Sequence, residues 1–90
     1  MIIYVDMVAD LFHAGHIKFF KKILDKYPNS KLYVGLMSDN EAEEYKRKPI
    51  LNIQERSFAV SSCKYVTKVF ENAPMPITNQ FIIENKIEKV

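Results

Sequence analysis

The sequence predicts an α/β fold built on a parallel sheet with helices on both faces. Three observations carry this. Short apolar runs alternate with longer segments along the chain, in the order strand, helix, strand, helix, strand, helix, strand. That order implies parallel strands joined by right-handed crossovers. The first two apolar runs are continuous rather than alternating, as suits strands covered on both faces. Residues able to cap helices stand where the segments change period.

Ile2-Ile3-Tyr4-Val5 is apolar and rich in β-branched residues, which suits a buried parallel strand. From Ala14 to Lys26 the pattern changes: Ile17, Phe20, Ile23 and Leu24 recur at spacings of three and four, while Lys18, Lys21, Lys22 and Asp25 fall elsewhere. This is an amphipathic helix, closed by the turn Tyr27-Pro28-Asn29-Ser30. Leu32-Tyr33-Val34-Gly35-Leu36 is a second buried strand, after which Ser38 is placed to cap a short acidic helix through Tyr45. A basic loop, Lys46-Arg47-Lys48, follows. Asn52 with Glu55 three residues later has capping-box spacing and predicts a helix to Cys63 or Lys64. Tyr65 to Phe70 alternates as a third strand, Thr78 caps a helix carrying Phe81, Ile82 and Ile83, and Ile87 to Val90 begins a fourth strand.

Ninety residues are a single domain, residues 1–90, and a small one. A chain of this length buries only about 60–65% of the surface it exposes when unfolded, so its stability is marginal. The apolar share is 48% and the net charge +2, with the basic residues dispersed apart from residues 46–48. Nucleic-acid binding is not expected without a dedicated basic stripe. Cys63 is the single cysteine, which leaves no internal disulfide and no cysteine-based metal cluster. No membrane segment is expected, and a reducing compartment, the cytoplasm, is.

In a parallel α/β sheet, ligands bind outside the carboxyl ends of the strands. The segment Asp6 to His16 leaves the first strand there and enters the first helix, whose N-terminus offers unpaired N–H groups and partial positive charge to a phosphate. Gly15 removes a side chain where a phosphate approaches the backbone. His13 and His16, three residues apart, can share one side of a helical turn and donate to one oxyanion.

His13-Ala14-Gly15-His16 has the form HxGH, and the run from Asp10 to His16 resembles the D-L-F-H-x-G-H segment of cytidylyltransferases acting on phosphocholine and phosphoethanolamine. The resemblance spans the chain. Val34-Gly35-Leu36-Met37-Ser38-Asp39 is similar to V-G-V-x-S-D, and Lys46 with Arg56 in Gln54-Glu55-Arg56 keeps the family's K…E-R spacing. Cys63-Lys64-Tyr65-Val66 is similar to C-R-Y-V, and Asn72-Ala73-Pro74 followed by Thr78 to N-A-P followed by T.

This resemblance implies a Rossmann-like nucleotidyltransferase fold and cytidylyl transfer from CTP to an amino-alcohol phosphate, with release of pyrophosphate and with Mg²⁺ assisting. No covalent intermediate is implied. Catalysis would be positioning plus neutralisation of charge on the phosphoryl oxygens. The roles implied are His13, His16 and Lys46 on the reacting phosphates, with Asp10, Gly15 and Arg56 beside them for the nucleotide. Asp6, with Lys46, would face the acceptor, since the glycerol-phosphate branch of the family lacks this aspartate. The resemblance also implies a homodimer, with Lys64-Tyr65-Val66 in its interface, and a place in phospholipid-precursor synthesis.

Three positions depart from the family's pattern: Met75 stands where it has tryptophan, and Met7 and Ala9 where it has glycine and an aromatic. The family's later H-x-D-D and R-T-x-G-I-S-T segments have no counterpart here, so the chain corresponds to about the first two-thirds of the catalytic domain, C-terminally incomplete. Glycerol-phosphate cytidylyltransferase, another HxGH nucleotidyltransferase with ATP in place of CTP, and a non-catalytic nucleotide-binding or dimerising module stay open as alternatives.

Overall fold

The computed structural model describes residues 1–45 and 47–90; the expectation placed on Lys46 lies outside the described residues. The elements are β1 (Ile2–Met7), α1 (Ala14–Lys26), β2 (Lys31–Leu36), α2 (Asp39–Tyr45), α3 (Ile53–Ser61), β3 (Lys68–Phe70) and α4 (Asn79–Glu84). The three strands form a parallel sheet in the order β1-β2-β3. After α4 the chain returns to the free edge of β1, where Ile3 bridges Lys89 in parallel and Tyr4 N–H donates to Lys89 O at 2.8 Å. Successive crossovers therefore run outward on one side of β1 and then jump to the other. This reversal is the switch point beside which α/β sheets bind ligands.

Each helix begins at the residue the sequence nominated. Ser38 Oγ accepts from Glu41 N–H, Asn52 and Glu55 form a reciprocal capping box, and Thr78 Oγ1 accepts from Phe81 N–H. Side chains alternate along β1. Ile3, Val5 and Met7 join Leu32, Val34 and Leu36 in one cluster with Phe20, Ile23 and Leu24 of α1 and Val60 of α3. On the opposite face, Tyr4 packs against Phe70 and Phe81 at centroid distances of 6.4 and 5.3 Å. Both faces are thus covered, which is why β1 and β2 are apolar without alternation.

Gly35 makes the second face possible, since a Cβ there would stand 1.7 Å from the Tyr4 hydroxyl. That hydroxyl is fully buried and, among the described residues, lacks a hydrogen-bond partner. Burial, reinforced by the Asp6 carboxylate, pushes its pKa up to about 12.

Several boundaries differ from the sequence expectation. β1 runs two residues further, to Met7, because β2 continues to offer partners: Asp6 pairs with Gly35 and Met7 with Leu36. The third strand is limited to Lys68–Phe70. Residues before it are drawn into turns, with Cys63 N–H on Val60 O and Val66 N–H on Cys63 O, so α3 also stops at Ser61. The fourth strand is a single bridge flanked by bonds from Glu88 and Lys89 N–H to Ile2 O. Among the described residues, no helix is long and apolar enough to cross a membrane.

Candidate active site

β1 delivers Asp6 at its carboxyl end, and the following loop climbs to the N-terminus of α1. Two non-glycine residues of this loop, Ala9 and Leu11, take left-handed backbone with φ of 58° and 51°. Such conformations cost about 1–2 kcal/mol each and persist only where surroundings enforce them. Here the surroundings are specific. Asp10 accepts from Ile50 and Leu51 N–H, both at 2.9 Å, which ties this loop to the basic loop before α3. Although partial burial pulls the Asp10 pKa up, these two bonds together with Arg47 and Arg56 hold it below the ordinary carboxylate value.

Arg56 completes the fastening. Its side chain is fully buried. It donates from Nη1 to Val8 O and Met37 O at 2.8 Å each, from Nε to Leu51 O at 3.1 Å, and from Nη2 to Asp39 at 2.6 Å. One guanidinium thus joins the loops after β1 and after β2 and the loop before α3. The sequence suggested a nucleotide contact for Arg56. The structure instead encloses it, with each nitrogen engaged by protein, so it acts as a holder of the site's walls. Its position near the start of α3, unfavourable for a cation on dipole grounds, follows from these acceptors.

His13 is the N-cap of α1 and forms with His16 a reciprocal pair of backbone bonds. His13 Nδ1 accepts from Gly15 N–H at 2.9 Å, and His16 Nδ1 accepts from His13 N–H at 3.1 Å. A nitrogen that accepts a hydrogen bond carries no proton, so each neutral ring holds its proton on Nε2. The backbone thereby sets the tautomer and turns two Nε2–H donors away from the helix. The rings lie 4.4 Å apart, and His16 stacks on Phe12, which stacks on the buried Phe20. A line of aromatic contacts therefore fixes the half-buried His16 to the core while His13 is exposed.

Gly15 has a more immediate reason than phosphate approach. A Cβ there would lie 2.6 Å from His13 Cε1. Gly15→Ala is therefore expected to evict the His13 ring from its cap. The loss of that cap, about 1 kcal/mol, offsets the gain of about 0.5–1 kcal/mol by which alanine favours a helix over glycine, leaving stability about unchanged. Imidazole ¹⁵N shifts check this: the variant should lose the fixed Nε2–H signature at His13, and an unchanged spectrum would contradict the packing.

Burial, and next the neighbouring His13, lower the His16 pKa. A depressed histidine pKa favours the neutral ring in the folded state, so its stabilising effect is present above the unfolded value of about 6.5 and is lost as pH falls below it. Acidification from about pH 7.5 to about pH 5.5 is expected to lower the denaturation midpoint more in the unaltered chain than in His16→Gln. Equal losses would remove His16 from the pH response.

These parts surround a cleft of about 440 Å³ at the carboxyl ends of β1 and β2. Its walls bring together Asp6, Asp10 and His16 of the expected residues, with Met37, Tyr45 and Arg47 added. Gly15, His13 and Arg56 lie around it rather than in its lining. The sequence places Arg47 only in a basic run and Asp39 only in the segment similar to V-G-V-x-S-D, and assigns neither of them, nor Tyr45, to the site. The signal available was adjacency to Lys46 for Arg47 and the V-G-V-x-S-D resemblance for Asp39. Among the described residues, no three carboxylates, histidines or cysteines converge to cage a metal.

Compared with known proteins, residues 6–90 match the family model described as cytidylyltransferase-like. The chain belongs to the cytidylyltransferase-like family. Among curated relatives of this cytidylyltransferase-like chain, the probable choline-phosphate cytidylyltransferase of Schizosaccharomyces pombe is 41% identical over 98% of this chain and 24% of the relative. Human choline-phosphate cytidylyltransferase A is 38% identical over the same shares. The ethanolamine-phosphate cytidylyltransferase of Mus musculus is 35% identical over 99% of this chain and 22% of the relative. The chain thus spans about a quarter of the length of the curated relatives it matches. The crystal structure of the lipopolysaccharide core biosynthesis protein from Thermoplasma volcanium GSS1 superposes with a TM-score of 0.81 at 24% identity. It covers 97% of this chain and 69% of that one, a likeness of fold. The expected α/β nucleotidyltransferase architecture and the family resemblance are both borne out.

Proposed function

We propose that the protein transfers a cytidylyl group from CTP to an amino-alcohol phosphate, phosphocholine or phosphoethanolamine. The observation that carries this reading is the interlocked His13–His16 pair at the N-terminus of α1, with both Nε2–H groups directed outward beside a cleft that contains Asp6. The names of the relatives support the donor and the acceptor class.

In this reading an oxygen of the acceptor phosphate attacks the α-phosphorus of CTP, and the bond to the bridging oxygen of the leaving pyrophosphate breaks. The protein supplies no nucleophile. Donors fixed before the reaction stabilise charge as it builds on the phosphoryl oxygens. The histidine pair fits that work because its protons are already placed by the backbone. Lys46 is proposed as a further phosphate contact. Gly15 leaves room for the His13 ring, and Asp10 and Arg56 keep the walls in register.

The donor set fits Mg²⁺ as a companion of the triphosphate rather than a caged ion, since Mg²⁺ is commonly held by one or two carboxylates plus substrate phosphates. Asp10, on the histidine loop, is the residue proposed to help hold it, and the ion would neutralise phosphate charge. Asp6 is proposed to face the cationic head of the acceptor, and a homodimer is proposed from the family resemblance.

The test combines CTP and ATP titrations with pyrophosphate release in the presence of Mg²⁺, using phosphocholine, phosphoethanolamine and glycerol phosphate as acceptors. Selective CTP binding, and a KM that Asp6→Asn raises for the two amine acceptors more than for glycerol phosphate, are expected. Failure to bind CTP would defeat the proposal. An equal loss for all three acceptors would assign Asp6 to loop structure.

A further inference from the structure

We propose that Arg47 is a substrate-binding residue of the cleft and grips the phosphate of the acceptor while Asp6 faces its cationic end; this rests on the cytidylyl-transfer reading above. Arg47 lines the cleft together with Asp6, Asp10 and His16. Its side chain is exposed. Among the described residues the ion pairs are Lys21–Asp25 and Arg56–Asp39, and no hydrogen bond engages the Arg47 guanidinium. It is a cation at the wall of a cavity with its donors uncommitted.

The loop that carries it is nonetheless anchored. Ile50 and Leu51 N–H are held by Asp10, and Leu51 O is held by the buried Arg56. Arg47 therefore projects from a segment pinned to the histidine loop. Asp10, the neighbouring carboxylate, has both oxygens engaged by backbone amides and forms no contact ion pair with Arg47. A guanidinium in this position presents a planar fork that suits two phosphate oxygens.

The acceptor, rather than the triphosphate, follows from the pairing of charges. The cleft lining holds two carboxylates, and with Asp10 bound by backbone amides the opposite charges left to a ligand are the Asp6 carboxylate and the Arg47 guanidinium. A ligand complementary to both charges is a zwitterion with a cationic head and a phosphate. The exposed His13, outside this lining, stays available to the nucleotide.

Calorimetric titrations of the chain with phosphocholine, choline and CTP test this. Arg47→Gln is expected to weaken phosphocholine binding about 10–100-fold, while choline and CTP change less than about twofold. Arg47→Lys, a point charge without the fork, should recover part of the loss. Asp6→Asn should weaken phosphocholine and choline together. Unchanged phosphocholine affinity in Arg47→Gln would overturn the proposal. So would an equal loss for CTP, which would put the guanidinium on the nucleotide, or no phosphocholine binding by the unaltered chain. CTP binding is read separately, so failure of the transferase reading is distinguishable from failure of the Arg47 assignment.

Discussion

His13→Asn is expected to lower kcat for cytidylyl transfer about 10²–10³-fold, the loss typical of one preorganised oxyanion donor, with little change in stability. Asparagine is a strong N-cap, and its side-chain oxygen can take the place of Nδ1 as acceptor for Gly15 N–H. It cannot reproduce the proton on Nε2. His13→Ala removes both and should also cost about 1 kcal/mol of stability through the lost cap. His16→Ala should match the kinetic loss and additionally open the ring stack on Phe12. Steady-state kinetics paired with urea denaturation separate the two roles. Near-full turnover in His13→Asn would show that the ring serves only to cap the helix.

Arg56→Met is expected to destabilise the protein by about 3 kcal/mol or more, a large share of the 5–15 kcal/mol typical of a whole domain. The guanidinium is fully buried and satisfies three carbonyl oxygens from separate loops. Its removal leaves those oxygens unpaired at about 1–3 kcal/mol each where water does not reach them. The Asp39 side chain is 44% exposed and can rehydrate, so the ion pair contributes the smaller part. Arg56→Lys should rescue little, because one ammonium head cannot span acceptors set by a planar fork. For a domain this size the melting temperature should fall by ten degrees or more. A shift below about 1 kcal/mol would mean the loops hold their places without the guanidinium.

Helix starts were legible because a cap is a local chemical event: Ser38, Asn52 and Thr78 each bond an amide three residues ahead. Strand lengths were less so. Met7 belongs to β1 because Leu36 lies opposite it, and Tyr65 falls outside β3 because its neighbours turn back on α3. Pairing is decided by what stands beside a residue rather than by its own pattern.

The same division holds in the site. The sequence by itself determined the parallel α/β order, the histidine pair at a helix N-terminus and the family, since each rests on neighbours within a few residues or on short segments in a fixed order. Only the tertiary structure decided that Arg56 is walled in by Val8, Met37, Asp39 and Leu51, that Asp10 clasps the loop at Ile50, and that Arg47 reaches the cleft. Apart from Arg56–Leu51, five positions apart, those contacts link residues separated by 17 to 48 positions. Nothing local distinguishes a buried arginine from a solvated one. The difference is made by carbonyl oxygens that folding brings within reach, because a buried cation is tolerated only where such acceptors replace water.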